Sequence, residues 1–482
     1  MKNDSRPRAR LGALAAALLL AGCASFSGIE PQARLQGATD AGVPAGTAAM
    51  APSLQDDWWT AFGDPQLDQV VGRALQGNPS LRVAQARLDR ARSVLEVANA
   101  ATLPQVQGSA DATRQHFSAN NIYPPPLGGS TRELGTVQLA GSWELDFFGK
   151  HRQALEAALG ASRAAQADVD AARTVLAANV ARTYFQAVRL QDQLQVAQRT
   201  LEQRQQQLDL VRDRVRAGLD TTLEERQSEG GLPEVRQQIE ALHEQAGLAR
   251  NALAALVAQP DLQLAPRSLA AARPLALPDT IPADLLGRRA DIAAARWRVE
   301  AATHDVANAK ASFYPNVNLT AFVGLSSLGL GNLLDAGSKQ WGIGPAVHLP
   351  IFDAGRLRAN LRGKTADLDL AVESYNGALL EAVRDVADQL TSARSIARQQ
   401  AEQKQAQASA EAAYDIAVQR YKAGLGTYLN VLTAESAVLN QRRLAVDLAG
   451  RALDTQVQLA RALGGGYRAD PDTQRLAAQG AR

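Results

Sequence analysis

Few residues in this chain are of a type and spacing that does covalent chemistry. The one thiol is Cys23, the single cysteine in 482 residues. A thiolate is a nucleophile and a soft metal ligand, but a lone one builds neither a disulfide framework nor a thiolate metal cluster. The five histidines (116, 151, 243, 304 and 348) are scattered, with no HExxH and no close pair at metal-ligand spacing. No GxSxG elbow and no Walker loop occur, and the glycine run from Gly464 to Gly466 has no phosphate-binding context. These residues point away from an enzyme. Any energy for vectorial work must come from a partner.

The thiol is positioned by what precedes it. Leu11 to Ala21 is an apolar run of 11 residues. That is about 17 Å as a helix at ~1.5 Å per residue, short of a bilayer core of about 30 Å. Lys2, Arg6, Arg8 and Arg10 lie upstream. A basic start, a short apolar core and small residues before a cut site describe a secretory signal peptide over 1–22. Charges abutting the run so sharply disfavour a buried core helix. Leu20-Ala21-Gly22-Cys23 resembles a bacterial lipobox, in which the cysteine is acylated and becomes the first mature residue. The resemblance implies a covalent lipid on Cys23 and no other cofactor. Residues 24–52 are rich in Ala, Gly and Pro and read, with the remainder of 23–56, as a lipid-anchored tether.

The formal charge of the chain is +2, of which the leader carries +3, leaving −1 after it. That balance argues against nucleic acid as a partner. No stretch after residue 23 is continuously apolar for 18 residues, so a membrane crossing must be made by strands.

The chain repeats itself. At an offset of 206, Gly149-Lys150 falls on Gly355-Arg356 and Val180-Ala181 on Val386-Ala387. Arg216-Ala217-Gly218-Leu219 falls on Lys422-Ala423-Gly424-Leu425, Leu223 on Leu429, and Glu229 on Glu435. The preceding stretch repeats at 211, placing Pro104 on Pro315 and Val106 on Val317. The two copies run roughly 67–258 and 284–463. Each holds a stretch without proline (127–232 and 351–470) dominated by helix formers. Apolar residues recur there at three- and four-residue spacing (Leu194, Ala197, Leu201, Leu208, Val211, Val215), a narrow seam suited to coiled-coil packing. Gly149 to Gly218 would span about 105 Å if helical throughout, a length that suits a rod or tube. Gly218 and Gly424 each end such a helix, and helical pattern resumes after them, so each copy reads as a hairpin of two long helices. Gly230, Gly231 and Pro233 predict a kink in the first return arm.

Four segments switch to strict alternation. In the first, Val106, Gly108, Ala110 and Ala112 alternate with polar residues. The second uses Val137, Leu139, Trp143, Leu145 and Phe147, and the third Val317, Leu319, Ala321 and Val323. The fourth uses Trp341, Ile343, Val347, Leu349 and Ile351. Strands of about ten residues, apolar on one side and polar on the other, suit a transmembrane barrel. A soluble sandwich alternates too, but two hairpins inserted between very long helices favour the barrel. Four strands cannot close in lipid, so several copies must build it together. Loops 116–134 and 326–339 join the strands of each hairpin.

These features together resemble the TolC-like outer-membrane efflux family, and most closely its lipoprotein branch, which serves tripartite pumps of the resistance-nodulation-division type. The resemblance rests on Asp57-Trp58-Trp59 with Phe62-Gly63-Asp64-Pro65, and on Asn78-Pro79. It also rests on LGRRADI from Leu286 to Ile292 (with Ala290 where the family has proline), on Phe313-Tyr314-Pro315, and on ALGGGY closing at Tyr467.

The family resemblance implies an α+β membrane protein: a homotrimer whose twelve strands form one outer-membrane barrel, continued by long antiparallel coiled-coil hairpins as a periplasmic tunnel. Ala24 after the lipidated cysteine, rather than aspartate, fits export to the outer membrane. The implied partners are outer-membrane lipid, a periplasmic adaptor and an inner-membrane transporter of the resistance-nodulation-division type. The adaptor would meet Arg216, Gly218, Leu219, Lys422, Gly424 and Leu425, for which plain helix capping is the alternative role. A periplasmic gate would involve Tyr421 with Glu224 as its acidic partner. Asn430 and Thr433 replace the family's acidic rings, which puts a cation site there in doubt.

The domains follow: helices at 57–104, a membrane hairpin at 105–148, helices at 149–258, a linker at 259–283, a helix at 284–314, a second membrane hairpin at 315–353, helices at 354–463 and a tail at 464–482. The implied function is the passive exit duct of an efflux pump. The alternatives are a lipid-anchored structural coiled coil or a type I secretion outer-membrane component.

Overall fold

The computed structural model describes residues 26–37, 40, 42, 54–276 and 285–468. Helices α1 (Pro65–Gly77) and α2 (Pro79–Ala100) precede strands β1 (Gln105–His116) and β2 (Thr131–Leu145). Then come α3 (Lys150–Arg216) and α4 (Thr222–Val257), followed by α5 (Ala290–Ala311). Strands β3 (Asn316–Leu328) and β4 (Lys339–His348) lead into α6 (Arg356–Lys422) and α7 (Tyr428–Ala462). The repeat is literal at the level of elements: α3 and α6 are both 67 residues long and lie 206 positions apart. The described residues contain no helix long and apolar enough to cross a membrane. Two compact units are built from these elements.

The first unit holds a four-stranded antiparallel sheet in the order β1-β2-β3-β4. Paired residues share a face. Leu145, Val317 and Val347 form one row, and Trp143, Leu319 and Pro345 the next. Val106, Gly141, Ala321 and Ile343 follow, then Gly108, Leu139, Val323 and Trp341, then Ala110, Val137, Leu325 and Lys339. From Val317 to Leu325 this face is apolar on β3, about 26 Å of strand at ~3.3 Å per residue. Arg114 and Glu133 lie opposite one another beyond it. The other face carries Gln105, Gln107, Ser109 and Asp111, with Gln138, Ser142, Asn318, Thr320 and Gln340.

The strands stop earlier than alternation suggests at one end. Phe147, Leu349 and Ile351 lie beyond β2 and β4. Asp146 accepts the Arg152 N–H at 2.8 Å and so begins α3. Pro350 has no N–H to donate to a ladder, and Asp353 accepts from the Leu357 N–H at 2.9 Å. At the other end β1 reaches His116, β2 starts at Thr131 and β3 reaches Leu328, so the loops are shorter than their sequence bounds. Residues 26–35 are held along this unit: Asp369 accepts the N–H groups of Gln32 and Ala33, each at 2.9 Å, and Phe26 meets Phe313 edge-on at 5.8 Å.

The second unit packs its core around Trp58, Phe62, Leu67, Val71, Tyr184, Phe185, Leu253 and Val457. The WWTAFGDP segment explains itself here. Trp58, Trp59 and Phe62 are buried, and Asp64 caps α1 by accepting from the Gln66 N–H at 2.9 Å. Asp64 also accepts from the Tyr184 hydroxyl at 2.5 Å. Arg289 of LGRRADI is 6% exposed. It grips Asp291 at 2.6 and 3.0 Å and donates to the Ala462 carbonyl at 3.3 Å. The glycine run then turns beside it with positive φ at all three residues, and a β-carbon at Gly464 would fall 1.7 Å from the Arg288 carbonyl oxygen. Helix α4 runs through Gly230, Gly231 and Pro233 as one element.

Candidate functional site at the hairpin tips

The two turns that end α3 and α6 have the same construction. At the first, the Gly218 N–H donates to the Val215 carbonyl at 3.0 Å and the Leu219 N–H to the Arg214 carbonyl at 2.9 Å, with Gly218 at φ +72°. At the second, Gly424 donates to Tyr421 at 3.0 Å and Leu425 to Arg420 at 2.8 Å, with φ +73°. Each is a Schellman cap, which needs a left-handed residue that glycine adopts without strain. Both turns leave two leucines in the open: Leu219 and Leu223 at 64% and 60% exposure, Leu425 and Leu429 at 69% and 63%. Arg216 and Lys422 are exposed beside them, Arg216 paired with Asp213.

Beneath the tips, Tyr421 and Tyr428 pack with Val211 and Val431. Tyr421 is 2% exposed. Its hydroxyl donates to Asp220 Oδ2, and Arg214 holds both oxygens of that carboxylate, at 2.8 and 3.3 Å. The same guanidinium lies 4.5 Å over the Tyr421 ring. Burial works to raise the Asp220 carboxyl, but hydrogen bonds from Arg214 and Tyr421 outweigh it and hold it below the usual carboxylate range. Burial, and then Asp220, push the Tyr421 hydroxyl up.

The carboxylate facing Tyr421 is therefore Asp220. Glu224 folds back onto its own helix start: it accepts from the Thr221 N–H at 2.9 Å while Thr221 accepts from the Leu223 N–H at 3.2 Å, a capping box. Asn430 and Thr433 are exposed on α7, and the Thr433 hydroxyl donates to the Leu429 carbonyl at 2.9 Å. Among the described residues no three His, Cys, Asp or Glu groups converge to hold a metal ion. Cys23 lies outside the described residues.

Farther along the same hairpins sits a node that motif reading missed. Glu435 of α7 is 0% exposed. Arg204 of α3 reaches it at 3.3 Å and also bonds the Gly231 carbonyl at 2.9 Å and Glu234 at 3.1 Å. Glu435 Oε1 has no hydrogen-bond partner among the described residues. Burial raises the Glu435 carboxyl above its usual range despite Arg204. The repeat registers Glu229 with Glu435, but Glu229 is partly exposed and grips Arg212 at 2.8 Å and Arg226 at 2.9 Å. The signal available in sequence was the Gly-Gly-x-Pro stretch, which leaves room for the Arg204 side chain.

The outer membrane efflux protein family profile matches residues 70–259 and 281–465 of the chain. Fusaric acid resistance protein FusA of Burkholderia cepacia is 41% identical over 375 residues, 74% of this chain and 69% of that protein. MdtQ of Escherichia coli, described as a putative multidrug resistance outer membrane protein, is 32% identical over 94% of this chain and 96% of its own length. Among solved structures, the outer membrane protein VceC of Vibrio cholerae superposes with a TM-score of 0.78 at 35% identity. That superposition covers 86% of this chain and 100% of VceC.

Proposed function

Since the chain belongs to the outer membrane efflux protein family and is an outer-membrane efflux channel protein, we propose that it is the passive exit duct of a tripartite pump, with its hairpin tips as both docking surface and gate. The observation that carries this reading is the sheet: one face apolar from Val317 to Leu325 on β3, the other mostly polar, and, among the described residues, both edges, β1 and β4, without a second neighbour. An open edge in lipid leaves unpaired backbone groups at a cost of several kcal/mol each. Pairing β1 of one copy with β4 of the next removes both edges, and three copies supply the twelve strands of a barrel with a polar lumen.

The exposed leucines at Leu219, Leu223, Leu425 and Leu429, with Arg216 and Lys422, form the surface that a periplasmic adaptor grips. An inner-membrane transporter of the resistance-nodulation-division type supplies the energy, and the duct itself breaks no bond. The Arg214–Asp220–Tyr421 contact holds the tips closed, and adaptor binding biases the helices toward a second arrangement. Cys23 carries a covalent lipid that tethers each copy to the membrane; no other cofactor is needed. The relatives' names, multidrug and fusaric acid resistance, support drugs and other small toxic molecules as cargo.

Single-channel recording in planar bilayers, with heat-modifiable migration of the purified oligomer, tests the reading. Discrete conductance that grows when the tip contact is weakened supports it. An oligomer that never conducts, even with Asp220→Asn, overturns it in favour of a structural spacer.

A further inference from the structure

One side chain on the polar face of the sheet is out of keeping with its neighbours. Phe322 of β3 stands in the row Gln107, Ala140, Phe322, Gly342. Among the described strands no other Phe, Tyr or Trp lies on that face. The ring is 39% exposed, so it is not tucked into a core. Its seat is built for it: Cε1, Cζ and Cδ1 lie 2.6, 3.0 and 3.4 Å from where a β-carbon at Gly342 would stand. Only glycine at 342 lets the ring occupy that space.

The next row is equally specific. Gln340 Nε2 donates to Gln138 Oε1 at 3.1 Å, reaching across Gly324. A β-carbon at Gly324 would fall 2.3 Å from the Val137 carbonyl oxygen and 3.0 Å from the Gln138 side chain. On the other side of the ring, the Thr320 hydroxyl donates to the Gly344 carbonyl at 3.2 Å. Two glycines thus clear the floor for an aromatic ring and an amide bridge laid side by side.

We propose that Phe322 and the Gln138–Gln340 bridge form a stacking platform on the channel wall for planar aromatic solutes in transit. This rests on the channel reading, in which the polar face lines the lumen. The open side of the phenyl ring accepts an aromatic partner in offset or edge-on geometry. The two amides beside it offer donors and acceptors to a polar substituent on that partner. A saturated solute of the same size finds no π-face to match. The site is weak by design, as a duct must release what it holds: one stack corresponds to a preference of about 2- to 10-fold.

The test is current block by benzoate and by cyclohexanecarboxylate, two anions of matched charge and similar size that differ in the aromatic ring. Each is added on the barrel side of trimers in planar bilayers, with Asp220→Asn trimers alongside to lengthen open times. Benzoate is expected to block at about 2- to 10-fold lower concentration. Phe322→Leu should abolish the difference and Phe322→Tyr retain it. Equal block by the two anions in the unaltered trimer overturns the platform without any variant, as does a benzoate preference that survives Phe322→Leu. Trimers that carry no current before either anion is added overturn the channel reading itself, and the platform with it.

Discussion

Replacing Asp220 by Asn removes the charge that holds Arg214 and Tyr421 at the first tip. Hydrogen bonds to a charged group contribute about 1.5–3 kcal/mol each, so the closed arrangement should lose roughly tenfold or more in population per tip. The check is a rise in open probability and in cellular entry of an antibiotic that the outer membrane normally excludes. The Asp220 carboxyl sits below its ordinary value of 3.8. Its stabilisation is thus complete above that value and lost as pH falls through the depressed one. Conductance should stay low and flat from about pH 5 to 8 and rise only below about pH 4; a rise near neutrality would assign gating to another group. At the Arg204–Glu435 node, Arg204→Met leaves a buried carboxylate uncompensated and should cost about 3–5 kcal/mol, read as a lower thermal midpoint. The double variant Arg204→Met with Glu435→Leu should recover most of that loss. If it does not, the node's worth lies in packing and not in charge. The family resemblance pairs Tyr421 with Glu224, whereas within the chain its hydroxyl meets Asp220. The Thr221-x-x-Glu224 capping signature was legible and competes for Glu224; the turn's twist, which brings Asp220 to the tyrosine, is set by tertiary contacts and leaves no mark in local spacing.

At the scale of elements, alternation and helical spacing carried most of the information. The strands and the hairpins stand where those periods change, because each period encodes which face meets an apolar surroundings. The ends were less legible: Phe147 and Ile351 continue the alternation in sequence, yet Asp146 and Asp353 divert the backbone into helix starts. Gly230, Gly231 and Pro233 predict a kink, and helical hydrogen bonding runs on through them from Thr222 to Val257, with the Gly231 carbonyl also bonded by Arg204 at 2.9 Å. Two substitutions separate the faces and turns by their physics. Val347→Arg puts a charge on the apolar face and should cost about 2–4 kcal/mol near the midplane, seen as reduced outer-membrane yield. Gln340→Arg, one face over, should insert normally. Gly424→Pro cannot adopt φ +73°. It should abolish export while trimers still form, which susceptibility tests and native gels resolve; normal export would remove the tip from the docking surface.

For the whole molecule, the proposed lipid on Cys23 and the barrel would be separable attachments. Acyl chains add about 0.8 kcal/mol per buried CH₂, enough to keep a chain at the membrane before its neighbours arrive, whereas the crossing belongs to strands. Cys23→Ser should therefore abolish lipid labelling and leader removal, while a chain given a different cleavable leader should still yield heat-modifiable trimers. Loss of all trimer in the second case would make the lipid part of assembly. The repeat has a last consequence, one of symmetry. The two tips share a turn, a pair of bare leucines and a neighbouring cation, but only one carries the Asp220 carboxylate that clasps the tyrosine. On the proposed docking and gating roles, a threefold axis would make six near-equivalent handles and three latches. A partner ring with sixfold symmetry could then grip every handle alike, while the mechanism it releases would remain threefold.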